Sequence, residues 1–349
     1  MSIFIYSVYK FIIENNRKGL KMSETKKFKP DPKLKIMDQV RQVLRYHHYS
    51  YSTEKTYLDW IKRFFKYFDY KIHPKQMDKK EVEKYLSHLA VDKKVSISTQ
   101  KQACSAISFL FNEVLHQEIG CIQPIKAQYH KRLPVVLTQD EVKLLIAHLN
   151  GINSLLVKLL YGSGLRLMEA LRLRIKDLDF ENNQILIYDG KRCKNRITVF
   201  PKSIQNDMRL QIQKVKQIHE CDLQKGFGSV WLPYALERKF PKASKEIIWQ
   251  YAFPASKRSV DPRSGIERRH HVYETTLQKA VKMASNKANI YKRVSCHTFR
   301  HCFATHLLEN GSNIRQVQKL MGHKDIKTTE IYLHVIETKI NIQSPLDNL

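Results

Sequence analysis

A break without helical pattern divides this chain, and any fold it adopts has to respect that break. The segment CIQPIKAQYHKRLPVVLT, residues 121–138, carries Pro124, Pro134, Lys126, Lys131 and Arg132 and shows no helical period. Proline fixes φ and removes a backbone donor, so the stretch reads as an extended basic linker, 121–136, between two separately folding blocks. Before it, residues 31–120 read as helices. KLKIMDQVRQVLRYHHYS is amphipathic, STEKTYLDWIKRFFKYFDY opens on a Ser/Thr cap, and DKKEVEKYLSHLAVDKK and SISTQKQACSAISFLFNEVLHQEIG follow, the last ending at Gly120. The aromatic stripe Trp60, Phe64, Phe65 and Phe68 belongs in the core of this bundle. After the linker, TQDEVKLLIAHL starts a fresh helix with Thr138 as cap and Glu141 at the capping-box position. QILIYDGKRCKNRITVF alternates on both sides of a basic turn, the pattern of a β-hairpin. The expected fold is mainly α with a small β-hairpin or sheet (α+β). It has a helical N-terminal domain, 31–120, and a helical second domain, 137–349, while residues 1–30 read as an extension with Met22 a plausible start.

Charge narrows the partners. Lys and Arg total 61 against 33 Asp and Glu, a formal net charge of +28. Such an excess repels itself in a compact fold and is best understood opposite a polyanion. Nucleic acid is the first candidate, since phosphate contacts release counterions, and basic helix faces suit a major groove. Six cysteines (104, 121, 193, 221, 296, 302) form no CxxC pair, as expected of thiols in a reducing cytoplasm. Cys296, His297, His301, Cys302 and His306 crowd together, but their spacing matches no common zinc site, so no metal is expected. No run approaches ~18 uninterrupted apolar residues, so no membrane span is expected.

Four pieces of the second domain carry chemistry. YGSGLRLMEALRLRIKDLDF puts Arg166 behind a Gly-Ser-Gly turn at a helix start, where terminal amides favour an anion. The hairpin turn presents Lys191. His297 and Arg300 lie three apart, on one helix face. LMGHKDIKTTEIYLHV holds His323 and, nine residues later, Tyr332. Singly, Arg166 reads as a surface ion-pair partner, Lys191 as a solvated turn residue, His323 as a helix cap and Tyr332 as core. Together they supply transesterification at a phosphodiester. Two arginines clamp non-bridging oxygens, a histidine or lysine protonates the departing sugar oxygen, another histidine orders the reactants, and the phenol attacks. No GxxxxGK loop is present and acidic residues form no cluster, so neither nucleotide nor two-metal chemistry is expected.

GLR, the GK turn, HTFRH, LMGH and TTEIY stand in the order seen in tyrosine recombinases, and the chain resembles that phage-integrase family from about residue 31 to 340. The resemblance implies a two-domain clamp around DNA, a covalent 3'-phosphotyrosine, no cofactor, and catalytic roles for Arg166, Lys191, His297, Arg300, His323 and Tyr332. His301 and His306 fall outside that set and read as packing residues or supports behind it. The stretches VWLPYALERKFPKASKEIIWQYAFPAS and RRHHVYETTLQKAV resemble the extra segment of integron integrases, about 229–272. That likeness implies DNA partners of two kinds, folded single-stranded attC hairpins and duplex attI sites. Trp249, Pro262, His270 and His271 would then contact bases projecting from the hairpin stem, where stacking contributes roughly 1–3 kcal/mol per base. By themselves these residues read instead as a core tryptophan and a solvated histidine pair. The resemblance also implies tetramer assembly on DNA, with the tail 333–349 docking on a neighbour or back on its own chain.

Overall fold

Side-chain caps decide where the helices of the first unit begin. The computed structural model describes residues 28–120, 133–188, 195–232 and 236–337, and the chain separates into two units, Met1–His130 and Lys131–Leu349. Helix α1 (Ile36–Tyr46) leads to α2 (Tyr51–Tyr67), whose cap is Ser50, accepting the Thr53 amide at 3.3 Å. The helix thus starts a little before the Ser52-Thr53 pair that marked it in the sequence. Helix α3 (Lys79–Val91) starts from Asp78, and α4 (Ile97–Phe109) from Ser96, which accepts the Thr99 amide at 3.3 Å. Helix α4 does not run on to Gly120. It widens into a π turn at Leu110–Val114 and ends before His116, whose φ is +54°. The wider turn buries Leu110, Phe111 and Val114 together. Trp60, Phe64 and Phe65 are buried and Phe68 packs against them, so the aromatic stripe is core.

The second unit opens on α5 (Gln139–Ala147). Its capping box forms as the sequence spacing predicts, with the Thr138 amide donating to Glu141 at 2.7 Å and the Glu141 amide to Thr138 Oγ1 at 3.1 Å. Helices α6 (Gly151–Ser163) and α7 (Leu167–Leu171) precede a small antiparallel sheet of β1 (Leu178–Asp179), β2 (Gln184–Ile187) and β3 (Arg196–Val199), in that order. Strands β2 and β3 pair from Gln184↔Val199 to Ile187↔Arg196, the hairpin read from alternation; its turn, 189–194, lies outside the described residues. Helix α8 (Gln205–Gln224) follows, then α9 (Leu236–Lys239) and the strand pair β4 (Ser259–Val260) and β5 (Glu267–Arg268). Helices α10 (Glu274–Lys287), α11 (Cys296–Glu309), α12 (Ile314–Met321) and α13 (Lys327–Glu337) complete the unit.

The core of this unit gathers Leu156, Leu159 and Leu160 of α6, Phe200 after the sheet, and Phe299 and Cys302 of α11. His306 fastens α11 from behind: its Nε2 donates to the Leu137 carbonyl at 3.0 Å, leaving Nδ1 to accept the Tyr161 hydroxyl at 2.9 Å. Helix α11 is therefore held on its apolar side, and its N-terminal polar residues face the other way. Among the described residues, no helix is long and apolar enough to cross a membrane.

Candidate active site

Glu169 organises the basic residues. It sits in the first turn of α7, three positions after Arg166, and its carboxylate accepts the Arg166 amide at 2.8 Å and an Arg166 guanidinium nitrogen at 2.8 Å. Arg196, at the start of β3, reaches the same carboxylate with both terminal nitrogens, at 2.8 and 2.6 Å, while its Nε donates to the Leu320 carbonyl at 2.9 Å. Burial alone would raise the Glu169 pKa, but the forked Arg196 contact and the Arg166 bonds outweigh it and bring it down to about 2. The carboxylate is ionised at any working pH.

Arg300 lies on α11 and is only 1% exposed. Its guanidinium donates to the carbonyls of Gly164 and Met321, lies 3.3 Å from His323 Nε2, and comes within 3.9 Å of Glu169. Both backbone acceptors stand beside glycines in the left-handed region, Gly164 at φ +62° and Gly322 at +64°. A Cβ at Gly164 would meet Phe303 Cδ1 at 2.3 Å, so this close approach needs glycine. Burial, then repulsion from Arg166, lowers the Arg300 pKa to about 10, which still leaves it cationic.

The histidines are neutral. A guanidinium only donates, so His323 accepts through Nε2 and its Nδ1 proton points to Thr329 Oγ1, 3.0 Å away. Burial, followed by the charges of Arg300, Arg166 and Arg196, lowers the His323 pKa to about 4. Its ring stacks on Tyr332, centroids 6.4 Å apart. His301 Nδ1 is 3.0 Å from the Tyr332 hydroxyl, and its ring meets His297 edge-on at 4.6 Å. Burial and the neighbours His297 and Arg300 bring the His301 pKa to about 4. Burial likewise lowers that of His297, with Arg300 and Arg166 adding repulsion. Tyr332 is 3% exposed beside Phe303, Ala304, Val317 and Met321; burial raises its pKa while Arg300 and Arg166 pull against that rise.

Of the six residues singled out in the sequence, Arg166 and Arg300 meet at Glu169, His323 joins them through Arg300, Tyr332 stacks on His323, and His297 joins through His301; Lys191 lies outside the described residues. Three neighbours were missed. Glu169 had a legible signal, the capping-type spacing from Arg166, whereas Arg196 read only as one more residue of a basic hairpin. His301 was placed among packing or supporting residues, yet it touches the phenol directly. The cysteine and histidine crowd of α11 disperses, with His301 turned to Tyr332 and His306 to Leu137 and Tyr161. Among the described residues, no three groups gather to hold a metal.

Residues 135–339 match the family model described as the phage integrase family, and residues 36–121 match its N-terminal SAM-like domain. The chain belongs to the phage integrase family. An integrase/recombinase of Escherichia coli is 42% identical over 318 residues, covering 90% of this chain and 94% of that protein. The tyrosine recombinase XerC of Lactobacillus delbrueckii subsp. bulgaricus is 28% identical over 278 residues, 77% and 82% of the two chains. Among solved structures, the XerH recombinase bound to palindromic difH substrate after cleavage aligns with a TM-score of 0.57 at 21% identity, covering 87% and 82%. A lambda integrase dimer on a COC' core site aligns at 0.53 and 15% identity, covering 85% and 93%. At these identities the structures speak for the fold alone.

In this tyrosine recombinase the segment between α8 and α10 is braced on the strand-like stretch after α7. The Ala252 amide donates to the Leu173 carbonyl at 2.8 Å and the Ile175 amide to the Gln250 carbonyl at 3.2 Å. Between them the buried Arg174 donates to the carbonyls of Trp249 and Trp231, at 2.5 and 2.7 Å. On the other side Asp222 of α8 accepts from Arg258 at 2.9 Å and from Arg269 at 2.6 Å. Trp249 is half-buried, with the Lys176 ammonium 4.5 Å and the Arg174 guanidinium 5.6 Å from its ring centroid. Tyr251 joins Arg174, at 4.9 Å, to the exposed His270 and the buried His271. His271 Nδ1 lies 2.8 Å from the Val272 carbonyl. Trp249 and the histidine pair therefore share neighbours, while Pro262 stands in the exposed turn between β4 and β5.

Proposed function

We propose that this recombinase is of the integron type and that Tyr332 is its nucleophile. The phenol attacks the scissile phosphate, the P–O5' bond breaks, and DNA is left joined through a 3'-phosphotyrosine. Attack by a 5' hydroxyl reverses the step and rejoins strands without nucleotide, because the ester bond is conserved in the intermediate. Arg166 and Arg300 hold the non-bridging oxygens, Lys191 protonates the departing O5', and His297 and His323 hydrogen-bond the phosphate. The observation carrying this reading is the gathering of Arg166, Arg196 and Arg300 by Glu169 beside the rings of His323 and Tyr332. Three guanidiniums around one carboxylate leave a net positive site, which suits a phosphodiester anion.

For substrate we infer folded single-stranded attC hairpins together with duplex attI sites, engaged by a tetramer in a bacterial cytoplasm, so that gene cassettes are integrated and excised. The segment between α8 and α10 supports this: Trp249 and His270 offer rings at the surface of a segment braced on two sides, and Pro262 adds an exposed apolar ring. A Xer-type role on ordinary duplex sites is the second reading, favoured by the likeness to XerC. A nicked suicide substrate tests both. Wild-type protein is expected to form a covalent adduct in EDTA, and Tyr332→Phe none while still binding; an adduct with Tyr332→Phe overturns the nucleophile. Trp249→Ala is expected to lose strand transfer selectively on single-stranded hairpins with projecting bases. Equal loss on perfect duplex points to a folding defect, whereas wild-type strand transfer on duplex sites alone favours the second reading.

A further inference from the structure

We propose that His301 is a further catalytic residue, holding the Tyr332 hydroxyl through Nδ1 and taking its proton as the phenol attacks phosphorus. The inference rests on Tyr332 being the nucleophile. The Tyr332 hydroxyl and His301 Nδ1 are 3.0 Å apart, and the hydroxyl has no other hydrogen-bond partner among the described residues. In the tautomer the proposal assigns, the phenolic hydrogen points at Nδ1 and the ring's own proton is on Nε2. Such a base is needed because a phenol with a pKa near ~10 is about one part in a thousand ionised at neutral pH, and burial suppresses it further.

The other histidines do not fit the task. His323 also lies against Tyr332, but Arg300 occupies its Nε2 and Thr329 its Nδ1. His297 meets the edge of the His301 ring rather than the phenol. The groups facing His301 are His297 and Arg300 on its own helix and Tyr332 from α13, and the two basic neighbours with burial keep it unprotonated, ready to accept. A scissile phosphate adds negative charge beside the ring and raises its proton affinity when the transfer occurs. The step balances: the Tyr332 Oη–P bond forms, P–O5' breaks, the phenolic proton moves to His301 Nδ1, and O5' takes a proton from Lys191. In rejoining, the imidazolium returns its proton to the departing Oη.

The test measures adduct formation by wild type, His301→Ala, His301→Asn and Tyr332→Phe. The substrates are nicked duplexes and folded single strands that wild-type protein has trapped covalently from a random-sequence pool. His301→Ala is expected to bind these DNAs unchanged and to form adduct about 10²–10⁴-fold more slowly, with imidazole free base restoring the rate. His301→Asn sets an amide oxygen near the Nδ1 position, so it holds the hydroxyl but stays slow. Wild-type speed in either variant, or a loss in His301→Ala that imidazole does not relieve, overturns the proposal. If His301→Ala fails to bind DNA, the Asn variant decides alone: slow supports, fast overturns. An adduct with Tyr332→Phe would instead remove the nucleophile itself.

Discussion

Glu169 is the residue on which the basic cluster depends. Its glutamine variant keeps the shape but leaves Arg196, 11% exposed, facing a neutral amide. Breaking such a pair is expected to cost about 3 kcal/mol at neutral pH, measurable by urea denaturation. The pH dependence has a definite sign. The native pKa, about 2, lies below the ordinary 4.5, so the stabilisation is full above 4.5 and is lost as pH falls toward 2. The stability gap between wild type and Glu169→Gln should close across that window. Arg166→Lys is expected to slow adduct formation severely, because a point charge cannot replace a guanidinium that binds Glu169 and, in the proposed reaction, a phosphate at once. Wild-type turnover in that variant would remove Arg166 from the clamp.

At the scale of elements, the joint between α6 and α7 sets the position of Arg300. Gly164→Ala forces a Cβ into Phe303 at a positive φ, and a loss of at least ~2 kcal/mol in unfolding free energy is expected. Adding Phe303→Leu should return part of that loss; no recovery would mean the backbone conformation, and not the collision, sets the cost. The segment between α8 and α10 is a second such unit, hung on Arg174 and Asp222. Arg174→Ala is expected to speed hydrogen exchange at the Ala252 and Ile175 amides while leaving the amides of α11 protected. Uniform loss of protection would show that the segment is part of the unit's general stability.

For the molecule as a whole, two properties follow from charge. A net +28 predicts DNA affinity that falls linearly in log–log with salt, by roughly 0.9 for each phosphate neutralised on duplex. Salt-insensitive binding would contradict a phosphate-led interface. The neutral histidines predict acid lability in the free protein. Burial brings the native pKa values of His301 and His323 to about 4 against 6.5 and lowers that of His297 too; all three face Arg300, and His297 and His323 face Arg166 as well. Below pH 6.5 the unfolded chain binds more protons than the native one, so stability present above that pH drains away as pH falls toward 4. A Tm unchanged between pH 7 and 5 would contradict this.

Much of this protein was written in its local patterns. The Thr138 capping box, the β2–β3 hairpin and the core stripe of α2 were legible because period and capping record which face of a segment is buried. The chemical types of the site were legible as well, since GLR, HTFRH, LMGH and TTEIY each keep their residues within one element. Helix ends were less so: the π turn after Phe109 depends on how Phe111 packs, which the spacing of residues does not state. The partnerships among polar groups were hidden entirely. Arg196 meets Glu169 across 27 positions and His301 meets Tyr332 across 31. Local sequence settles which residues turn inward or outward. Only packing of α11 against α6 and α13 decides which inward polar atoms meet, because a hydrogen bond depends on ångström-scale placement and a hydrophobic pattern does not.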